Sequence, residues 1–325
     1  MSTKPLERVT VIGASGRIGG AFAKALVATG KHTVTALTRA GSASKLPAGV
    51  KAVEVDYDDE AALVAALQGQ QFLAITLGVA APEDLHGKIV TAAGKAGVPY
   101  VMPNVYGYPQ PAAPRPHDMY SGFAIERVRQ VVDTGVSSPV TMSSGFWYEW
   151  SLALGQQWFG FEIRDRRVTF FDDGRRTVTA STWDQCGRAF AALLSLPETG
   201  ASPALADFKG GMLLVDSFRV SQRDMLDSLH RVLGTSDADW EILYEPVVKR
   251  VQEGIVQMKQ GDRHGFAKAL YGDIFDATND ASDYAATRKT ATQILGLPKE
   301  DLDEATKRTV DMVLNDWTPF SDTKM

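Results

Sequence analysis

Along the first 145 residues, short β-branched runs alternate with helical patterns. RVTVIG is followed by GRIGGAFAKALVATG; HTVTALTR comes next; VKAVEVD precedes DEAALVAALQG, and QFLAITLG precedes PEDLHGKIVTAAGKAG. VPYVMP then leads to an apolar helix from about Ser121 to Asp133, and SPVTMSS closes the series. Strands linked through helices by loops this short run parallel in one sheet, because the crossover helix returns each strand to the same end. Gly30, Gly69 and Gly97 stand where helices must stop, and each is followed within a few residues by a new strand. The expected fold class is α/β, a Rossmann-type doubly wound parallel sheet whose ligand crevice lies beyond the C-terminal ends of the strands. Residues just after each strand are therefore the ones to read for function.

Past residue 145 the rhythm changes. RRVTFF-DDG-RRTVTAS reads as a hairpin turning at Asp172, Asp173 and Gly174, TWDQCGRAFAALLSL opens with Thr182 and Gln185 in capping-box spacing, and Ser221 caps SQRDMLDSLHRVLG. Separating the two regions there is neither a Pro/Gly/Ser-rich stretch nor a run of like charge. The expected organisation is a Rossmann domain over 1–145 and a smaller, interleaved α+β lobe over 146–325 that can return strands to the main sheet.

At the first strand-to-helix turn, Gly13, Gly16 and Gly19 have the spacing of a dinucleotide turn. Gly13 permits the bend, Gly16 lets backbone approach a pyrophosphate, and Gly19 lets the helix pack close to the sheet. Ser15 and Ile18 also belong to this candidate cofactor-binding turn, as does Arg17, whose positive charge suits the 2′-phosphate of NADP(H). An NAD site would place an acid at the end of the second strand, for the ribose hydroxyls. Here Leu37-Thr38 is followed by Arg39, whose guanidinium suits the 2′-phosphate of NADP(H), and Lys45 adds a second charge nearby. Asp56 and Tyr57 follow the third strand, toward the adenine. Thr76, Leu77 and Gly78 follow the fourth, along the ribose and pyrophosphate, and Pro103, Asn104 and Val105 follow the fifth.

A net charge of −5 with dispersed Lys and Arg leaves no basic stripe for nucleic acid. The start MSTKPLERVT has no secretory pattern and no uncharged run is long enough for a membrane helix, so a cytoplasmic protein without a membrane partner is expected. Five scattered His residues show no metal-ligand spacing. The lone Cys186, in an apolar helical pattern, reads as a buried small side chain.

GASGRIG, TALTR, VEVDYDDEAALVAALQG, TLG, AAGKAGVPYVMPNVYG and WDQCGRAFAALLSLPE together resemble the NmrA-like, isoflavone-reductase-like branch of the atypical short-chain dehydrogenases, over most of the chain up to about Leu233. The resemblance implies NADP(H) and reduction of aromatic or otherwise unsaturated small molecules; some relatives bind the cofactor only to sense redox state. The Tyr-x-x-x-Lys pair of better-known relatives is missing: Tyr106, Tyr120 and Tyr148 are followed four residues on by Gln110, Ala124 and Leu152. The lysine that plant-like members place early in the helix after the fifth strand is also missing, since no lysine occurs between Lys95 and Lys209.

Tyr106, in the loop where the family borders the nicotinamide, is the first candidate for a proton donor; His117, beside Asp118, and Tyr120 are the others. Phe146, Trp147, Tyr148 and Trp150, just past the sixth strand, are candidate walls of an aromatic substrate pocket, and Glu149 among them would hold its proton if buried. The leading expectation is an NADPH-dependent reductase of a small aromatic or polyketide-like metabolite, with a homodimer as the assembly considered. A non-catalytic NADP(H)-sensing regulator and a redox-neutral enzyme on the same scaffold are the alternatives.

Overall fold

The computed structural model describes residues 3–42, 45–109, 115, 117–315 and 317. Strands β1 (Arg8–Ile12), β2 (Thr33–Thr38), β3 (Lys51–Glu54), β4 (Phe72–Ile75), β5 (Tyr100–Met102) and β6 (Ser138–Pro139) form one parallel sheet in the order β3-β2-β1-β4-β5-β6. The order reverses between β1 and β4, which opens the crevice of a doubly wound sheet at that point.

The alternation of side chains along each strand divides the core between two faces. Val9, Val11, Ala36 and Phe72 face α1 (Arg17–Ala28), whereas Ile12, Leu37, Leu73 and Ile75 face α2 (Glu60–Leu67) and α3 (Leu85–Lys95). Helix α4 (Ser121–Val132) covers the sheet beyond α3. β4 is buried on both faces, as a central parallel strand must be. Gly30, Gly69 and Gly97 all take positive φ after their helices, as their positions predict.

The strand read as SPVTMSS continues from β6 into β7 (Thr141–Ser143). The remaining elements are β8 (Phe146–Trp147), α5 (Tyr148–Ala153), β9 (Phe161–Glu162), β10 (Arg167–Phe171), β11 (Thr177–Ser181), α6 (Trp183–Leu194), β12 (Met212–Leu214), β13 (Phe218–Ser221), α7 (Gln222–Leu233), β14 (Glu241–Glu245), α8 (Val247–Lys259), α9 (Arg263–Phe275), α10 (Ala291–Ile294) and α11 (Leu302–Leu314). β12 pairs in parallel with β7 in a two-stranded sheet separate from the six-stranded one. α6 lies on α1 so closely that a β-carbon on Gly187 would meet the Ala21 carbonyl at 2.6 Å. Through these two contacts the N-terminus of α6 comes to rest beside the glycine turn.

The expected hairpin does not form. β10 pairs with β14 and β9, and β11 pairs with β13 and β8. Asp172 and Gly174 both have positive φ and turn the chain away from its own preceding strand, while the Asp172 carboxylate accepts the Val247 amide at 2.9 Å and fastens the turn next to β14. No helix among the described residues is long and apolar enough to cross a membrane.

Candidate functional site

The three glycines of the first turn have different jobs. Gly13 has φ +81°, and a β-carbon there would overlap Thr76. Gly19, in the first turn of α1, would drive a β-carbon into the Gly13 carbonyl and the Thr76 hydroxyl. Thr76 is itself fixed, since its hydroxyl donates to the Ile12 carbonyl at 2.6 Å. Both glycines are thus required by packing. Gly16 is exposed, has an ordinary φ of −77°, and its β-carbon would meet only the Gly13 carbonyl, at 3.2 Å. As N-cap of α1 it supplies no side-chain acceptor, and the first turn has no acid. Backbone N–H groups and the positive end of the helix dipole therefore meet at an open place, which is the arrangement that binds an anion. Ser15 lies exposed on this turn, whereas Ile18 is buried beneath it.

Around that turn the strand ends are held by their own side chains. Arg39 and Lys45 are exposed past β2; the Arg39 carbonyl accepts the Ser42 amide at 3.1 Å, and its guanidinium makes no hydrogen bond or ion pair among the described residues. The Tyr57 hydroxyl donates to the Leu37 carbonyl at 2.9 Å, and burial pushes its phenol up to about 12. Asp56 is exposed and accepts the Asp58 amide in a turn. The Asn104 side chain is spent on Leu77, accepting its amide at 3.1 Å and donating to its carbonyl at 3.2 Å. His86, which sequence reading passed over, lies behind Asn104: its Nε2 accepts the Asn104 amide at 3.3 Å, and its Nδ1 pairs with Gln130 at 2.7 Å. Burial lowers this imidazole to about 4, so it stays neutral. Pro103 and Val105 are buried and Gly78 is exposed.

The three proton-donor candidates end in different environments. Tyr106 is corrected to a core residue: its hydroxyl donates to the Ile75 carbonyl at 2.7 Å, its ring packs edge-on against Phe22, and burial holds its phenol far above the usual range. His117 is exposed, and it is not oriented by Asp118, whose carboxylate instead accepts the amides of Tyr120 and Ser121, both at 2.9 Å, at the start of α4. Tyr120 stands over Gly107, and its phenolic oxygen accepts the Gly107 amide at 2.6 Å. Burial raises this phenol, while the Gly107 and Tyr106 amides pull the other way by favouring the phenolate. The loop carrying it is tied to α9 by Arg115, whose guanidinium pairs with the buried Asp273 at 2.9 Å.

The aromatic run does not wall one pocket. Phe146 stacks with Tyr108 (6.3 Å) and meets Tyr271 edge to face (4.6 Å), continuous with Tyr120 through the Tyr108 ring. Trp147 packs into the core shared by α1 and α6. Tyr148 is fully buried in the second lobe, its hydroxyl 2.7 Å from Thr306, and is corrected to a packing residue. Trp150 turns toward the glycine turn, 4.8 Å from the Arg17 guanidinium. Trp317 lies 4.8 Å and Trp183 5.9 Å from the same group. Glu149 is buried with one carboxylate oxygen lacking a partner among the described residues, and burial outweighs the nearby Arg308 to raise its pKa to about 7. Cys186 is buried and its thiol is pushed up by that burial.

Sheet order and turn geometry define a Rossmann-type protein with an open anion-binding helix terminus. Residues 5–117 match the model of the NmrA-like family, in agreement with the resemblance carried by GASGRIG and TALTR. The chain is 26% identical to a protein of Aspergillus flavus named Oxidoreductase aprR, over 91% of this chain and 96% of that one. Among solved structures, one titled AtPrR2 with NADP+ and (+)pinoresinol superposes with a TM-score of 0.70 at 16% identity, over 94% of this chain and 99% of that chain. An NADPH-dependent quinone oxidoreductase of Escherichia coli gives 0.67 at 19% identity, over 93% and 99%. These likenesses show the fold.

Proposed function

We propose that the chain is an NADP(H)-dependent reductase of a small aromatic or polyketide-like molecule. The observation that carries the reading is the division of labour at the glycine turn. Gly13 and Gly19 are closed off by packing, whereas Gly16 stays open at an uncapped helix terminus. A turn that served structure alone would have no use for that opening. Support comes from the oxidoreductase name of the Aspergillus flavus relative and from the NADP+ in the pinoresinol complex.

In this reading α1 holds the pyrophosphate through its N-terminal amides and Arg39 pairs with the 2′-phosphate. NADPH supplies a hydride when bound. Tyr120 holds a proton on its phenolic oxygen, and the Gly107 amide at that oxygen favours the phenolate as the proton leaves toward the reduced substrate. Phe146, half-buried and packed against the buried Tyr108 and Tyr271, offers its ring to an aromatic substrate beside it.

The test is NADPH titration by nicotinamide fluorescence, followed by NADPH consumption against a panel of aromatic ketones, quinones and alkenes. Tight binding with turnover of a panel member is expected. Failure to bind would overturn the cofactor assignment. Binding without consumption across the panel would favour the sensing protein.

A further inference from the structure

The last backbone pair between β4 and β5 is Ala74 with Met102, and the next residue after β5 is Pro103, which has no amide hydrogen to continue the ladder. Side chains take over from there. The Tyr106 hydroxyl occupies the Ile75 carbonyl, and Asn104 gives Leu77 what a neighbouring strand would give it, accepting its amide and donating to its carbonyl. Sequence position sets Asn104 along the cofactor, yet both ends of its amide are used on Leu77. Asn104 is fixed from behind by His86, in the first turn of α3. The Asn104 N–H can only donate, so Nε2 of His86 carries the lone pair and the imidazole proton sits on Nδ1, donated to Gln130 Oε1. Arg127 donates to the same oxygen at 3.4 Å, and the Glu126 carboxylate accepts the Gln130 Nε2 at 3.2 Å, which fixes the orientation of this amide. A protonated His86 would set two donors face to face; its complete burial keeps it neutral.

Next to Leu77 stands Thr76, the wall on which the glycine turn rests. Its amide and hydroxyl both bind the Ile12 carbonyl, at 3.0 and 2.6 Å, and its side chain and carbonyl fill the space that Gly13 and Gly19 leave. Beyond Leu77 the chain turns out into solvent at Gly78 and Val79. The wall is thus tied to β1 through Thr76 and to the loop after β5 through Leu77. Resting on the cofactor reading above, we infer that Asn104 and His86 are positioning residues for the dinucleotide: without touching it, they set the Thr76–Leu77 wall and, through it, the glycine turn. Their effect falls on what NADPH and NADH share, whereas Arg39 past β2 distinguishes the two. The bracket needs an acceptor and a donor on one planar group, which an asparagine amide supplies. Aspartate has the same shape, but when ionised it sets an oxygen against the Leu77 carbonyl; only its protonated form can donate there.

Asn104→Asp turns this requirement into a titration. NADP+ and NAD+ are titrated calorimetrically into full-length wild type and variant from about pH 5 to about pH 8, a range in which aspartate can protonate while His86 stays neutral. At the upper end the variant is expected to bind both nucleotides about tenfold more weakly than wild type, with their ratio unchanged. The deficit relative to wild type should shrink as pH falls. Asn104→Leu, which cannot titrate, should be weaker by a factor that pH does not alter. Wild-type affinity in Asn104→Asp, a deficit that pH does not relieve, or a loss confined to NADP+ would overturn the bracket and leave the cofactor reading standing. His86→Phe keeps a buried ring without the acceptor and should weaken both nucleotides several-fold; full affinity there would remove His86 from the positioning role, whether or not Asn104→Asp folds. If wild type binds neither nucleotide, the cofactor reading fails by itself. The bracket is then judged by hydrogen exchange at the Leu77 amide, which should be faster in Asn104→Asp at about pH 8; unchanged exchange would refute it.

Discussion

Gly16 and Gly19 are three residues apart, yet alanine should fail at each for opposite reasons. At Gly19 the added methyl overlaps the Gly13 carbonyl and the Thr76 hydroxyl, atoms held by the β1–β4 pairing and by the Thr76–Ile12 hydrogen bond. Overpacking against such fixed atoms costs about 3 kcal/mol, and the helix propensity of alanine returns about 1, leaving a net loss of about 2 kcal/mol. At Gly16 the backbone is already ordinary and the methyl meets one carbonyl at 3.2 Å, so stability should change by less than about 1 kcal/mol. The same methyl stands where a phosphate oxygen approaches the α1 amides. Loss of one charge-assisted hydrogen bond, about 1.5–3 kcal/mol, weakens NADPH roughly tenfold to hundredfold. Thermal melting and nicotinamide-fluorescence titration of both variants separate the two effects. A Gly16→Ala protein that melts normally and binds NADPH like wild type would refute the open-cradle reasoning. A Gly19→Ala protein as stable as wild type would refute the packing assignment.

Arg39→Ala should narrow the preference for NADPH over NADH by roughly 1–3 kcal/mol, measured by calorimetry with both cofactors; an unchanged ratio would place the 2′-phosphate elsewhere. Tyr120→Phe should lower turnover of an identified substrate with little change in NADPH affinity, whereas Tyr106→Phe should leave turnover near wild type and cost about 1 kcal/mol of stability through its lost hydrogen bond to Ile75. The reverse pattern would restore Tyr106 as the donor. Glu149 has its folded pKa raised from 4.5 to about 7, so the native state binds the extra proton between those values. Stability should therefore fall as pH rises through that window, by about 3 kcal/mol at most above it, and Glu149→Gln should flatten the slope in denaturant titrations at several pH values. A slope unchanged in the variant would assign it to another group.

The architecture of the first 145 residues was legible because it is written in local periods. β-Branched runs of strand length, apolar helical spacing and glycines at helix ends each depend on neighbours a few residues away. Gly13 and Gly19 belong to this class too, since a tight strand-to-helix turn has few backbone solutions. What tertiary structure alone decided is where each polar or aromatic side chain finds its partner. Tyr106 had the right loop for a proton donor, but folding carries its hydroxyl to a carbonyl on β4. Asp172 and Gly174 had the composition of a hairpin turn, but β10 takes β14 as its neighbour, with Arg167 opposite Glu241. Arg17 belongs to the first turn by sequence, but folding also sets its guanidinium 4.8 Å from the ring of Trp317, from the far end of the chain. Backbone preference acts between adjacent peptide units and so shows in sequence. Hydrogen bonds, burial and cation–π contacts act between whichever groups the finished fold brings within a few ångströms, and no local period encodes that.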